Sequence, residues 1–200
     1  MARKTRAEAE ATRQAILDAA EHVFIKKGVA RSSLEEIART AKVTRGAVYW
    51  HFCNKSDLFD AMLESVRLPM SEMIAEDMNG QASDVQALRN LCVYALKVLV
   101  EDERHARVYT ILFHHTESER GMKKHAEMAE QSINLMTRIF TSHPPHPSLT
   151  ACQAARSLHT QMLGIYYDWL RNPGAYDLEK EAETLVDTIF RGICPEKSGQ

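Results

Sequence analysis

The chain has 200 residues, 44% hydrophobic and 26% charged, a balance that fits a folded globular protein and excludes a disordered one. Its formal charge is −2, and no apolar run approaches the roughly 18 residues that a membrane-spanning helix needs, so a cytoplasmic protein with no membrane partner is expected. Cys53, Cys92, Cys152 and Cys194 are widely spaced with no CxxC pair, and they read as buried thiols rather than a metal or redox site.

The near-neutral total hides a division. Residues 1–56 carry eleven Lys and Arg against six Asp and Glu, a net of +5, whereas the remaining 144 residues carry a net of −7. A basic head on an acidic body predicts that only the head meets a polyanion.

Hydrophobic periodicity is helical almost throughout. Ile16, Ala19, Ala20, Val23 and Phe24 form a stripe on a first helix from about Thr12 to a stop at Gly28, leaving the first ten or so residues as a basic arm. Ser33-Leu34-Glu35-Glu36 is a capping-box pattern opening a second short helix, with Leu34, Ile37, Ala38 and Ala41 inward. After a turn at Lys42-Val43, a third short helix starts at Thr44, and Val48, Trp50 and Phe52 read as its packing residues. Asn54 or Ser56 caps a fourth helix carrying Leu58, Phe59, Met62, Leu63 and Val66.

Pro69 should kink or end that helix, and Asn79-Gly80-Gln81-Ala82-Ser83 reads as a loop. Further helices follow over about 83–100, 103–117 and 119–142. A break at His143-Pro144-Pro145-His146-Pro147 precedes two more, about 148–171 and 177–193. The expected fold class is all-α, about nine helices. A helix-turn-helix DNA-binding domain occupies residues 1–56, and a helical ligand-binding and dimerisation domain occupies 57–200.

The second and third helices form a helix-turn-helix whose second helix fits the major groove of double-stranded operator DNA. Thr44, Arg45 and Gly46 sit at the end that meets base edges. Arg45 can bond two acceptors of guanine, and Gly46 lets the backbone approach closely. Tyr49, His51 and Lys55 read as phosphate or sugar contacts, and Ser33 can add a phosphate bond from a helix N-terminus.

At these residues the chain resembles the TetR family of transcriptional repressors. The match runs through Thr12-Arg13-x-x-Ile16-Leu17-x-Ala19-Ala20, Phe24…Gly28 and Leu34-x-x-Ile37-Ala38. It continues through Val43-Thr44-Arg45-Gly46-Ala47-Val48-Tyr49-Trp50-His51-Phe52 and Asn54-Lys55-x-x-Leu58. Lys42 departs from it, standing in the turn where the family commonly has glycine; if that position needs φ > 0, lysine costs on the order of 1 kcal/mol.

Farther along, Ile111-Leu112-Phe113-His114-His115-x-Glu117 and Gly164…Trp169-Leu170-x-x-Pro173-x-x-Tyr176-Asp177-Leu178 resemble the acriflavine-resistance regulator branch. That resemblance implies a repressor of multidrug efflux genes, released from DNA by small amphipathic or aromatic drugs. It also implies a homodimer joined through the last two helices as a four-helix bundle. A TetR-type sensor of a metabolite or signal controlling other genes, as repressor or activator, stays open beside it.

Side chains expected to line a drug-sized pocket are Cys92 and Leu96 on one helix, Thr110 and His114 on the next, and Ile133, Met136 and Thr137 on a third. His159, Met162, Leu163 and Tyr166 lie on a fourth, and Val66 lies at the head–body junction. No triad, phosphate loop or zinc spacing is present, so no catalytic residue, metal or cofactor is expected.

Overall fold

A computed structural model describes residues 5–66, 85–114 and 119–194. Among these residues there are nine helical segments and no strand, the all-α class that the periodicity predicts.

Helix α1 spans Arg6–Arg31, longer at both ends than its apolar stripe. Thr5 Oγ1 accepts from the Glu8 N–H at 3.3 Å and the Glu8 carboxylate accepts from the Thr5 N–H at 2.8 Å, a capping box that starts the helix early. The expected ten-residue arm is therefore helical from Arg6. At the other end the helical backbone is interrupted at Gly28 (φ 77, ψ 159), the expected stop and a conformation open to a residue without Cβ, and a short further helical stretch runs on to Arg31. The inward face holds Ile16, Leu17, Ala20 and Phe24, all fully buried, and the three larger side chains contribute about 1.5–3 kcal/mol each.

Helix α2 (Leu34–Thr40) starts where Ser33 Oγ accepts from the Glu36 N–H at 3.2 Å. The Glu36 carboxylate meets Lys27 Nζ at 2.5 Å, tying α2 to α1. The turn after it is a Schellman motif: Val43 N–H donates to Ala38 O at 3.0 Å and Lys42 N–H to Arg39 O at 3.2 Å. Lys42 occupies its left-handed position at φ 55, so the slot that favours glycine holds a lysine.

Helix α3 (Arg45–His51) follows, and α4 is described over residues 55–66. Asn54 caps α4, its Oδ1 accepting from the Ser56 and Asp57 N–H groups at 2.9 and 3.0 Å. The Asp57 carboxylate accepts from Cys53 N–H at 2.8 Å, joining the end of α3 to the start of α4.

Contacts divide the chain into two compact units, one of residues Met1–Leu68 and Arg107–Lys124, the other of Pro69–Ala106 and His125–Gln200. In the first, Val48, Phe52, Leu58 and Met62 close over the α1 stripe, and Phe59 meets Phe24 edge-on with ring centroids 6.3 Å apart. The second contains α5 (Val85–Glu101), the start of α6 (Glu103–His114), most of α7 (Glu119–Ser142), α8 (Ala151–Arg171) and α9 (Leu178–Ile193).

Helix α5 packs on α8 and α9, and Leu88, Leu96 and Leu99 of α5, Leu158 of α8 and Val186 and Phe190 of α9 are all buried. Two cross-helix ion pairs, Arg89–Asp187 at 2.5 Å and Lys97–Glu183 at 3.2 Å, flank that seam. Helix α8 begins three residues later than expected because Ser148 lies in a turn under His146, and Thr150 makes the capping box with Gln153. Helix α9 starts within one residue of the expected 177, with Asp177 as its cap. The expected features at Pro69, at 79–83 and at 115–117 lie outside the described residues.

The cysteines differ from the expectation: Cys92 is buried and Cys194 half-buried, but Cys53 and Cys152 are exposed. Both exposed thiols fall near helix starts, where polar capping rather than burial decides the residue's setting.

One buried histidine escaped the sequence reading. His105 is 2% exposed, and burial outweighs the nearby Asp102 carboxylate to push its imidazolium down to about 4.

Two outcomes follow. Lys42→Gly relieves the left-handed strain and should raise unfolding free energy by about 0.5–1 kcal/mol in urea titration, the gain being trimmed by the freer unfolded chain. His105 binds a proton more readily when unfolded, so its stabilisation is complete above pH 6.5 and is lost as pH falls toward 4. Urea unfolding at pH 7.5 and pH 5 should show about 2 kcal/mol of loss from this group, absent in His105→Phe.

Candidate nucleic-acid interface and effector residues

Helix α3 is only seven residues long, too short to persist without support. Thr44 supplies one support, its Oγ1 accepting from the Ala47 N–H at 3.1 Å, and burial of Val48 and Phe52 supplies the other. With those two side chains turned inward, Arg45, Gly46, Tyr49 and Trp50 are left exposed. A Cβ on Gly46 would meet nothing closer than Thr44 Oγ1 at 3.9 Å, so nothing inside the head demands glycine there.

Arg45 and Tyr49 form one rung on that face, the guanidinium carbon 5.4 Å from the ring centre and Nη2 3.5 Å from the hydroxyl. This bond to Tyr49 is the first cause holding the guanidinium above its ordinary value. The stacked pair is a planar, cationic surface with free N–H donors, the shape that matches a guanine edge or a phosphate.

Trp50 corrects the sequence reading. It is 73% exposed, not packed in the core, and its ring stands edge-on to His51 with centroids 4.5 Å apart. The reason is angular: two residues beyond Val48 on a helix is about 200°, the opposite face. Trp50 and His51 border a groove of about 950 Å³ that continues over Ala47, Thr44, Val43 and Lys42 to Arg6, Ala9 and Thr12 of α1. Arg6 and Lys42 make it a basic groove. The α1 residues were missed because the segment before Thr12 was read as a basic arm; the Thr5–Glu8 capping spacing was the signal that could have found them.

Lys55 has a duty inside the head. Its Nζ donates to Ala30 O at 2.9 Å and Ser32 O at 2.8 Å, closing the end of α1 against the start of α4, and partial burial lowers its pKa. Two of its three N–H donors are thereby engaged. Ser33 is exposed and its hydroxyl oxygen accepts from the Glu36 N–H.

The expected effector residues are divided between the units: Val66, Thr110 and His114 belong to the first, and the other nine to the second. In the second unit, Cys92, Leu96, Met162 and Tyr166 are core. Burial pushes the Cys92 thiol up to about 12, and the Tyr166 hydroxyl donates to Ala95 O at 2.9 Å, beside His105 Nε2 at 3.5 Å. Ile133, Met136, Thr137, His159 and Leu163 are half-buried, and the Thr137 hydroxyl donates to Ile133 O at 2.7 Å. Burial first and His125 second lower the pKa of His159. His125 was missed, although it falls four residues before Ala129 on the same stripe of α7 as Ile133 and Met136.

A groove of about 560 Å³ runs between α8 and α9, past Gln161, Gly164, Ile165 and Asp168 on one side and Glu181, Leu185, Thr188 and Ile189 on the other. Tyr176 closes one end, its hydroxyl pushed up by burial and by the Asp168 and Glu181 carboxylates. None of the twelve expected effector residues lines either groove. Among the described residues no group of three or more His, Cys, Asp or Glu could hold a metal ion, and no helix is long and apolar enough to cross a membrane.

The sequence matches the family model described as bacterial regulatory proteins, tetR family, over residues 16–62. It also matches the model described as MAATS-type transcriptional repressor, C-terminal region, over residues 83–194. It is 34% identical to the HTH-type transcriptional regulator AcrR of Shigella flexneri, with 98% of this chain and 96% of that one covered. NalD, the secondary repressor of the MexAB-OprM multidrug efflux pump in Pseudomonas aeruginosa, is 38% identical and superposes with a TM-score of 0.85, over 96% of this chain and all of that one. SmeT, the repressor of the Stenotrophomonas maltophilia efflux pump SmeDEF, superposes in its triclosan complex with a TM-score of 0.81 at 31% identity, over 94% of this chain and 93% of that one.

Proposed function

The chain belongs to the TetR family of bacterial regulatory proteins, and on that premise we propose that it is a DNA-binding repressor of a multidrug efflux operon, released by amphipathic or aromatic effectors. It is a transcriptional regulator, not an enzyme. The observation that carries the efflux reading is the near full-length kinship with NalD, AcrR and SmeT, two of which are efflux-pump repressors by their descriptions.

In this reading residues 1–56 bind operator DNA in the cytoplasm and residues 57–200 sense the effector and dimerise. Thr44, Arg45 and Gly46 read base edges, while Tyr49, His51 and Ser33 hold the backbone. Trp50, exposed beside them, adds an apolar contact to the same face. Lys55 serves chiefly to hold α1 to α4, with one N–H left for phosphate. In the second unit the half-buried residues of α7 and α8 contact the effector, and core residues such as Tyr166 and Cys92 shape the wall behind them; in the first unit Val66, Thr110 and His114 are the residues that respond to it.

Two copies join through α8 and α9, with the groove around Gly164 receiving a partner helix. Two heads then meet two half-sites on one face of the duplex. An effector that favours a head spacing wrong for DNA weakens operator binding, and DNA weakens effector binding by the same factor.

Arg45→Ala should lose about ten- to hundredfold in affinity for the operator while binding to a scrambled duplex changes little; equal losses on both would contradict base reading. Trp50→Ala should weaken the operator complex without altering the thermal midpoint. In mobility shifts on DNA upstream of the nearest efflux operon, triclosan and a panel of amphipathic drugs should dissociate the complex, and His114→Ala should shift the effective concentration with basal affinity kept. A complex indifferent to every compound would sink the drug-sensing reading and leave the DNA-binding one standing.

A further inference from the structure

We propose that Glu21 and Arg107 are positioning residues for operator binding: their ion pair fixes α1, and through it the reading helix, to α6. The inference rests on the DNA-binding reading above. Glu21 lies on the inward stripe of α1 with Leu17, Ala20 and Phe24, and its side chain is fully buried. Arg107 Nε donates to its Oε2 at 3.1 Å from 86 residues along the chain, with the arginine itself 28% exposed.

An apolar side chain would fill that place on the stripe without the cost of taking a carboxylate out of water. A buried ion pair adds little net stability over well-packed hydrophobic residues, and geometry is the property it supplies best. The bond from Arg107 Nε to the buried carboxylate is charge-assisted, and a cation that reaches Glu21 from α6 holds α1 against α6 at that point.

The placement of Arg107 gives that hold a use. Helix α6 runs unbroken over Glu103–His114. Two residues before Arg107, His105 is buried in the second unit, with Nε2 3.5 Å from the Tyr166 hydroxyl and the Tyr166 hydroxyl on Ala95 O. His105 and Arg107, two residues apart on one helix, thus have different partners, Tyr166 and Glu21. Arg107 is the point at which α6 meets α1 through an ion pair, within the first unit. Within the head α1 contacts both α2 and α3, so what moves α1 moves Arg45 and Tyr49.

With the pair broken, α1 and the reading helix packed on it are less ordered before binding, and docking them on a specific site costs more ordering entropy. Binding that needs no specific site is unaffected. The test uses the full-length chain and a duplex that the wild-type protein enriches from a random pool, with a scrambled duplex as control. Glu21→Gln and Arg107→Met should each weaken the selected duplex about tenfold and leave the scrambled one within twofold, at a temperature where circular dichroism shows both folded. Arg107→Lys should return binding to within about threefold of wild type.

Unchanged affinity for the selected duplex in folded variants overturns the inference, as does an equal loss on both duplexes, which would mark a general loss of fold. Should the single variants not fold, Glu21→Leu with Arg107→Met buries no charge and is read by the same two ratios. A wild-type chain that enriches no sequence sinks the operator reading itself, a result distinct from all of these.

Discussion

A seven-residue helix cannot hold itself together in water, and the head is organised around that constraint. Helix α3 persists because Val48 and Phe52 are taken into the α1 core and because Thr44 caps its first turn. Those supports use the inward face and the N-terminal N–H groups, which leaves Arg45, Tyr49 and Trp50 outward as a rigid set. Rigidity is what a reader of base edges needs, since side chains ordered in advance lose less entropy on docking. The Schellman turn before α3 and the Asn54 and Asp57 bonds after it fix the direction in which that face points.

Charge is distributed to the same end. Outward cations on Arg6, Lys42 and Arg45 stay in water, where they are available to a polyanion. Cations that serve the fold are instead brought to oxygen atoms: Lys55 to two carbonyls, Lys27 to Glu36, Arg107 to Glu21. The net charge of a segment does not separate these two uses. Only the partner of each ammonium or guanidinium does. The acidic body repeats the second use at Arg89–Asp187 and Lys97–Glu183, where ion pairs flank an apolar seam between α5 and α9.

Much of the fold was legible in the chain because its signals are local. The 3.6-residue stripes of α1, α5, α8 and α9, the caps at Ser33, Thr44, Asn54 and Asp177, and the left-handed position at Lys42 depend on neighbours a few residues away. The errors have the same origin in reverse. Trp50 was assigned to the core because it is apolar and follows Val48, although the helical angle between them turns it outward. The segment before Thr12 has the composition of a basic arm and no apolar stripe, and the capping box at Thr5 and Glu8 is what makes it helical. His105 went unremarked because a histidine among charged residues carries no sequence mark of burial.

The sequence by itself determined an all-helical chain, a basic head, and a motif whose order of residues identifies a TetR-type reader of DNA. Periodicity, capping and charge sign are properties of short segments, and they survive without knowledge of distant contacts. Tertiary structure alone decided which polar groups are occupied and which are open. Glu21 meets Arg107 across 86 residues, Lys55 reaches back to Ala30 and Ser32, and Tyr166 is satisfied by Ala95. A side chain's availability depends on who stands beside it, and partners so far apart along the chain are brought together only by folding.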